Sequence, residues 1–359
     1  MTKLLKKMAC ALLAVAMIAS LAACGGSGSS APASQSASTG SQAAPSGDVD
    51  YSKLKKTTVI LASAQSSGLD TSKWLQEKAD EISKKTGGQL TIQLQFDGKL
   101  GGDTEEIEAI QAGDIDMMLL GSSAIVTFVP EVSVFDMPMM FDDAATASKG
   151  VPQMAEAINK ATAAKGIQTL GIGVGAFRTL STNKEIKAPA DFKGMKIRTL
   201  ENKYHMDFWQ GLGSEPTPIA FTDLYLSLSQ GLVQAQDNPV EAIAAMKFYE
   251  VQDYYMPITA FPAISLIIAS PEKFGALDPA YQALIQDMVN QFMAELYDIS
   301  SVAAKAARES IGDQMTDLEY TDEIKAAMVE AAKPVWKTVR KDLGDELVDA
   351  YLKIAGRTE

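Results

Sequence analysis

Two short runs carry the residues best suited to recognising an anion. "FRTL" and "IRTL" set Arg178 and Arg198 in near-identical apolar surroundings, each at a predicted strand end. The chain has 32 Lys plus Arg, yet only five are Arg: Arg178, Arg198, Arg308, Arg340 and Arg357. A guanidinium presents a planar fork of donors that meets a carboxylate with two parallel bonds, whereas the lysine ammonium is a strongly hydrated point charge. Arginine used sparingly at strand ends therefore suits carboxylate binding, with Lys196 as a solvated neighbour. Other chemistry is scarce. The two cysteines, Cys10 and Cys24, lie near the start of the chain, and the one histidine, His205, falls in "ENKYHMDFW", where it reads as a partly exposed helix residue. A lone His without Cys makes no typical zinc site, and no Ser-His-Asp arrangement is advertised, so neither a metal nor a cofactor is expected.

The compartment follows from "MTKLLKKMACALLAVAMIASLAAC". A cationic start (Lys3, Lys6, Lys7), an apolar run too short to span a bilayer comfortably and small residues before Cys24 mark residues 1–23 as a signal peptide. "LAAC" looks like a bacterial lipobox, with Cys24 as the lipid-bearing residue; the alternative is an ordinary signal with a coincidental cysteine. Residues 24–50 are rich in Gly, Ser, Ala and Pro and read as a flexible tether. The expected picture is an extracytoplasmic body held at the cell membrane by its lipid alone. The formal net charge is −13, and more negative once the leader lysines are gone. That excludes nucleic acid and anionic lipid surfaces as natural partners, and it means that an anion must be held by cations fixed in place rather than by a diffuse field.

The elements that would position these arginines alternate between strand and helix. "KTTVILASA", "QLTIQLQFDG" and "DIDMMLLGSS" read as strands separated by helices, one of them capped by Asp103 with Glu106 completing the box and Gly113 as terminator. The pattern recurs from about residue 170 with "QTLGIGVGAFRTLSTN", "KGMKIRTL" and "LVQAQDNP", then a helix from Pro239 to about Tyr254 and a strand in "AFPAISLIIAS". The fold class is α/β with mostly parallel sheets and two domains. A helix from Pro279 to about Asp313, on the order of 45 Å long, is expected to span both.

Ligands in open α/β sheets bind beyond the carboxyl ends of strands. Such ends place Gln65 and Ser66 in "SAQSS", Gly121 and Ser122 in "LLGSS", Arg198 in "KIRTL" and Asn238 in "QAQDNP" near a common cleft. On spacing alone Asn238 serves as readily as a helix cap, and Arg198 as half of a surface ion pair.

Four longer runs, "LGGDTEEIEAIQAGDIDMMLLGSS", "FRTLSTNKEIKAPADFKGMKIRTLEN", "GSEPTPIAFTDLYLSLSQGLVQAQDNPV" and "FYEVQDYY", closely resemble the solute-binding subunit of TRAP transporters, the DctP-type binding proteins. The resemblance covers the chain from about Lys55 in collinear order. It implies a periplasmic-binding-protein type II-like fold with two lobes, a hinge and a long helix spanning both: lobe I from 51–175 plus 264–303, lobe II from 176–263 plus 304–359. It implies an extracytoplasmic receptor that captures an organic acid and delivers it to membrane permease subunits driven by an ion gradient; a monomer is expected. By position, Arg198 matches the arginine that grips the carboxylate, Arg178 a second cleft arginine, Asn238 a ligand contact and Phe221 an aromatic wall. Glu201 stands where several members are neutral, and "LLGSS" lacks the acid that sialic-acid binders place there; both bear on which acid is bound. Two other classes share the fold: an extracytoplasmic enzyme, disfavoured by the missing His and Cys, and a ligand sensor for a membrane receptor.

Overall fold

The structure, a computed structural model, describes residues 49–358. The signal peptide, Cys24 and the tether up to residue 48 lie outside the described residues. A first passage of chain forms β1 (Thr57–Ala62), α1 (Asp70–Lys85), β2 (Leu90–Gln95), α2 (Asp103–Ala112), β3 (Met117–Gly121), α3 (Ala144–Gly150), α4 (Ala155–Ala163) and β4 (Gln168–Phe177). A second forms β5 (Thr179–Thr182), β6 (Lys196–Thr199), α5 (Lys203–Gly211), β7 (Glu215–Pro218), α6 (Leu224–Ser229), β8 (Ala235–Asn238), α7 (Val240–Ala245) and β9 (Tyr254–Met256). The chain then returns through β10 (Pro262–Ala269), α8 (Pro271–Gly275) and α9 (Pro279–Ile311), and ends in β11 (Thr316–Asp317), α10 (Asp322–Leu343) and α11 (Asp345–Ala355).

Two mixed sheets result, in the orders β2-β1-β3-β10-β4 and β11-β9-β5-β8-β6-β7. In the first, β1 runs parallel to β2 and β3, and β10 runs antiparallel between β3 and β4. In the second, β6 runs parallel to β7 and β8, while β5 runs antiparallel to β8 and β9. This is the two-lobed α/β arrangement that the resemblance implies. The run "QTLGIGVGAFRTLSTN", read above as one strand, is divided: its first ten residues belong to one sheet and "TLST" to the other, with Arg178 the one residue between them. The return crossing lies between Met256 and Pro262, a little before the expected cut at 263/264, and the Arg178 N–H donates to the Phe261 carbonyl at 3.0 Å, tying the two crossings together.

Helix α9 is the third link. Its 33 residues extend about 50 Å. Tyr281, Ile285, Phe292 and Leu296 enter the core of the first lobe, whereas Ala304, Ala307 and Ile311 join that of the second. Alternate glycines on β4 let the helix come close. A Cβ at Gly171 would lie 2.6 Å from Val289, at Gly173 2.9 Å from the Met293 sulfur, and at Gly175 2.7 Å from the Ser300 hydroxyl. The "LGIGVG" run is thus a groove for a helix, one of the uses of glycine inside a strand.

Three local expectations change. Helix α2 begins one residue early, capped from Gly102, whose N–H donates to the Glu105 carboxylate at 3.0 Å; Asp103 is freed from capping and Glu106 faces inward. Helix α7 stops at Ala245 because Lys247 adopts a left-handed conformation (φ 56°), followed by a single tight turn. Helix α11 lies against residues 130–154, which the expected boundaries assign to the other lobe; Tyr351 there meets Phe135 and Phe141 edge-on. No helix among the described residues is long and apolar enough to cross a membrane.

Candidate ligand-binding site

A cavity of about 140 Å³, sized for a small molecule, opens between the lobes at the strand ends. The first lobe contributes Gln65 and Ser66 after β1, and Gly121 and Ser122 where β3 ends. The second contributes Arg198, Arg178, Asn238 and Phe221, the last braced edge-on by Phe248 with ring centroids 6.2 Å apart. Glu201 does not join them. Strand β6 ends at Thr199, and Asn202 accepts from the N–H groups of Tyr204 and His205 to start α5, so the intervening Glu201 is left exposed and Leu200 lines the cavity instead.

Arg198 sits on β6, between β7 and β8, and is 1% exposed. Its Nε donates to the Ile219 carbonyl at 2.8 Å, while its Nη2 is buried without a partner. The other four arginines all meet carboxylates: Arg178 with Asp237 at 3.0 Å, Arg308 with Asp317 at 2.6 Å, Arg340 with Asp345 at 2.9 Å and Arg357 with Asp142 at 3.0 Å. Arg198 alone has none within ion-pair distance, so it is no surface ion pair. Burial first, then the neighbouring Arg178 charge, lower its pKa from the usual guanidinium range to about 10, which still leaves it cationic at neutral pH. A buried guanidinium without a counter-ion is costly unless something completes it.

Arg178 faces the same cavity in a different state. Its Nε donates to the Asp237 carboxylate, and its Nη2 donates to the Asp237 backbone carbonyl. Burial raises the Asp237 pKa, but Arg178, with His205 and Arg198 behind it, pulls the carboxyl below its ordinary value. The charge of Arg178 is therefore already answered within the protein. Asn238 is held by a relay of buried amides. Its Nδ2 donates to Gln236, whose own amide donates to the Ser181 hydroxyl; Ser181 in turn donates to Gln252. Gln252 belongs to the "VQDYY" run, whose role the sequence alone leaves open.

His205 corrects the sequence reading most clearly: it is 1% exposed rather than partly exposed. Its ring stacks on Phe261 at 3.8 Å, and its Nε2 lies 3.1 Å from Asp136 and 3.4 Å from the Ser123 hydroxyl. Asn202 donates to the other Asp136 oxygen at 2.7 Å. Helix α5 is pressed against residues of the first chain passage, so its polar face meets buried partners instead of water. Ser123 and Asp136 share one ring nitrogen, which does not make the Ser-to-His-to-Asp relay of a nucleophile. The network is a tie between the two passages.

Three acids that the sequence reading gave no binding role lie nearby. Asp103 and Glu241 line the cavity. Burial raises Asp103 to about 6, against the pull of Arg198 and with help from Glu105, and raises Glu241 to about 7. Glu106 is fully buried with both oxygens unpartnered; burial, then Asp103 and Glu105, push it from 4.5 to about 8. The folded protein thus keeps a proton on Glu106 that the unfolded chain releases. The associated stability is complete below the unfolded pKa of 4.5 and is lost as pH rises through about 8. Glu106→Gln should raise the melting temperature clearly at pH 9 and little at pH 5; an equal shift at both would contradict a buried neutral acid.

The model of the DctP family, described as bacterial extracellular solute-binding protein, family 7, matches residues 61–342. A solute-binding protein of Verminephrobacter eiseniae (strain EF01-2) is 31% identical over 270 residues, spanning 74% of this chain and 80% of its own. A TRAP periplasmic solute-binding protein of Polaromonas sp. JS666, solved with D-erythronate, superposes with a TM-score of 0.77 at 26% identity, covering 82% of this chain and 98% of its own. Another, from Desulfovibrio salexigens with orotic acid, gives 0.77 at 25%, covering 83% and 98%. The two-lobed fold, the cleft at the strand ends and the length of the match agree, and the chain belongs to the DctP family of extracytoplasmic solute-binding proteins of TRAP type, which are ligand-binding transport proteins and not enzymes.

Proposed function

We propose that the protein captures an organic acid outside the cytoplasm, gripping the carboxylate through Arg198, and delivers it to the membrane permease subunits of a TRAP-type transporter. One observation carries the reading: a buried arginine with an unpartnered Nη2, in a chain whose other arginines all meet carboxylates, lines the cleft between the lobes. A carboxylate supplies the missing counter-charge with charge-assisted bonds worth about 1.5–3 kcal/mol each. Arg178, Asn238 and Phe221 on one side and Gln65, Ser66, Gly121 and Ser122 on the other form the remaining walls. The relatives solved with D-erythronate and orotic acid hold small acids of this kind. Titration calorimetry against small carboxylates tests it. An acid should bind, and its uncharged amide should bind at least tenfold more weakly; equal binding of the two would contradict the assignment.

The lipid anchor belongs to the same reading. "LAAC" followed by a Gly/Ser-rich stretch supports lipidation at Cys24. Cys24→Ser should release the body from membranes or leave the leader uncleaved. A variant that matures and fractionates like the parent would remove the anchor from the account.

A further inference from the structure

We propose that the cavity takes a hydroxylated monocarboxylate in preference to a dicarboxylate, with Asp103 and Glu241 as the partners of its hydroxyl groups. The proposal rests on the reading of Arg198 as the carboxylate grip. The charged residues lining the cavity are Asp103, Arg178, Arg198 and Glu241. Arg178 is bound to Asp237 through its side chain at 3.0 Å, which leaves Arg198 as the cation without a partner. One carboxylate can therefore be matched by a guanidinium. A second would enter a space whose other charged groups are two acids and an arginine already paired with Asp237, and an unpaired carboxylate in such a place is strongly disfavoured.

A hydroxyl meets the same two acids on good terms. It donates to an ionised carboxylate and accepts from a protonated one, so it is satisfied in either state. Glu241 has a specific need of this kind, since its Oε2 is buried with no hydrogen-bond partner. Burial raises both groups towards neutral pH, Asp103 to about 6 against the pull of Arg198 and Glu241 to about 7, so each is readily met by a hydrogen-bonding hydroxyl. Placement helps as well. Asp103 opens α2 in the first lobe and Glu241 lies in the first turn of α7 in the second. An acid at a helix start is favoured by the helix dipole whether exposed or not. Burial against a cavity beside an unpartnered arginine is what the dipole alone leaves unexplained.

The test is titration calorimetry of the whole protein with two matched sets: D-erythronate, D-gluconate and D-galactonate against succinate, glutarate and adipate. One of the hydroxy acids should bind at least tenfold more tightly than any of the dicarboxylates. Glu241→Gln and Asp103→Asn, both nearly isosteric, should narrow that ratio by about tenfold, through weaker hydroxy-acid binding, stronger dicarboxylate binding or both. A dicarboxylate that binds tightest overturns the proposal, as does a preference that neither variant changes. If an aromatic acid, keto acid or amino acid binds and neither set does, the hydroxyl assignment falls while the carboxylate grip stands. If no carboxylate binds at all, the grip falls with it.

Discussion

Arg198→Ala should give a folded protein that has lost at least nine-tenths of its affinity for the acid. Arg198 is buried on β6, and its Nη2 has no hydrogen-bond partner within the protein. Truncating one partner of a buried, hydrogen-bonded charge pair typically costs about 2–5 kcal/mol, and about 1.4 kcal/mol is tenfold in affinity. Arg198→Lys should lose much of the same affinity although the charge survives, because an ammonium cannot make two parallel bonds from one plane. Stability should move the other way. The ligand-free protein keeps a guanidinium out of water with no carboxylate within ion-pair distance, so Arg198→Met should hold or raise the melting temperature while abolishing the rise that ligand produces. Arg340→Lys is the control: its guanidinium lies between Asp345 and Asp349 on the outer face of the C-terminal helices, and affinity should be unchanged.

Asp237→Ala should destabilise the fold by about 3–5 kcal/mol, the usual cost of breaking a buried ion pair from one side. The carboxylate is 1% exposed and 3.0 Å from Arg178. Without it Arg178 is left partnered only by a backbone carbonyl, with the Arg198 charge close by. The repair should be as informative as the damage. Replacing both members with apolar residues, as in Arg178→Met with Asp237→Leu, should recover most of the lost stability, since no uncompensated charge remains. Urea denaturation of the two variants decides it: an Asp237→Ala midpoint equal to the parent's would show that the pair does not hold the crossing at Arg178.

What the sequence exposed and what it hid divide along physical lines. That Arg198, Asn238 and the serine- and glycine-bearing ends of β1 and β3 line one cavity was legible, because the convergence of strand ends follows from local pattern and from the general geometry of α/β sheets. The partnership of Arg178 with Asp237 was not, because it depends on the antiparallel register that sets Leu180 opposite Asp237, a pairing across more than fifty residues of chain. The same blindness applies to His205. Its helix reads as mixed polar in isolation, and only the approach of Asp136 and Phe261 from elsewhere in the chain buries it. Asp103 was misread through a frame shift of one residue, since "GGDTEE" offers a capping acid in two registers and the glycine won. Glu201 was weighed as a site residue through its departure from the family pattern, yet it lies two residues past the end of β6 and is exposed. The glycines of "LGIGVG" were visible, but their meaning required the helix that lies on them.

A crystal structure of the protein with its acid bound tests most directly whether Arg198 holds the ligand. Both oxygens of one carboxylate should lie about 2.7–2.9 Å from guanidinium nitrogens of Arg198, the span of charge-assisted bonds, with the Arg178–Asp237 pair intact beside them. A carboxylate seated on Arg178 with Asp237 displaced, or an acid in the cleft that leaves the Arg198 Nη2 still unpartnered, would contradict it.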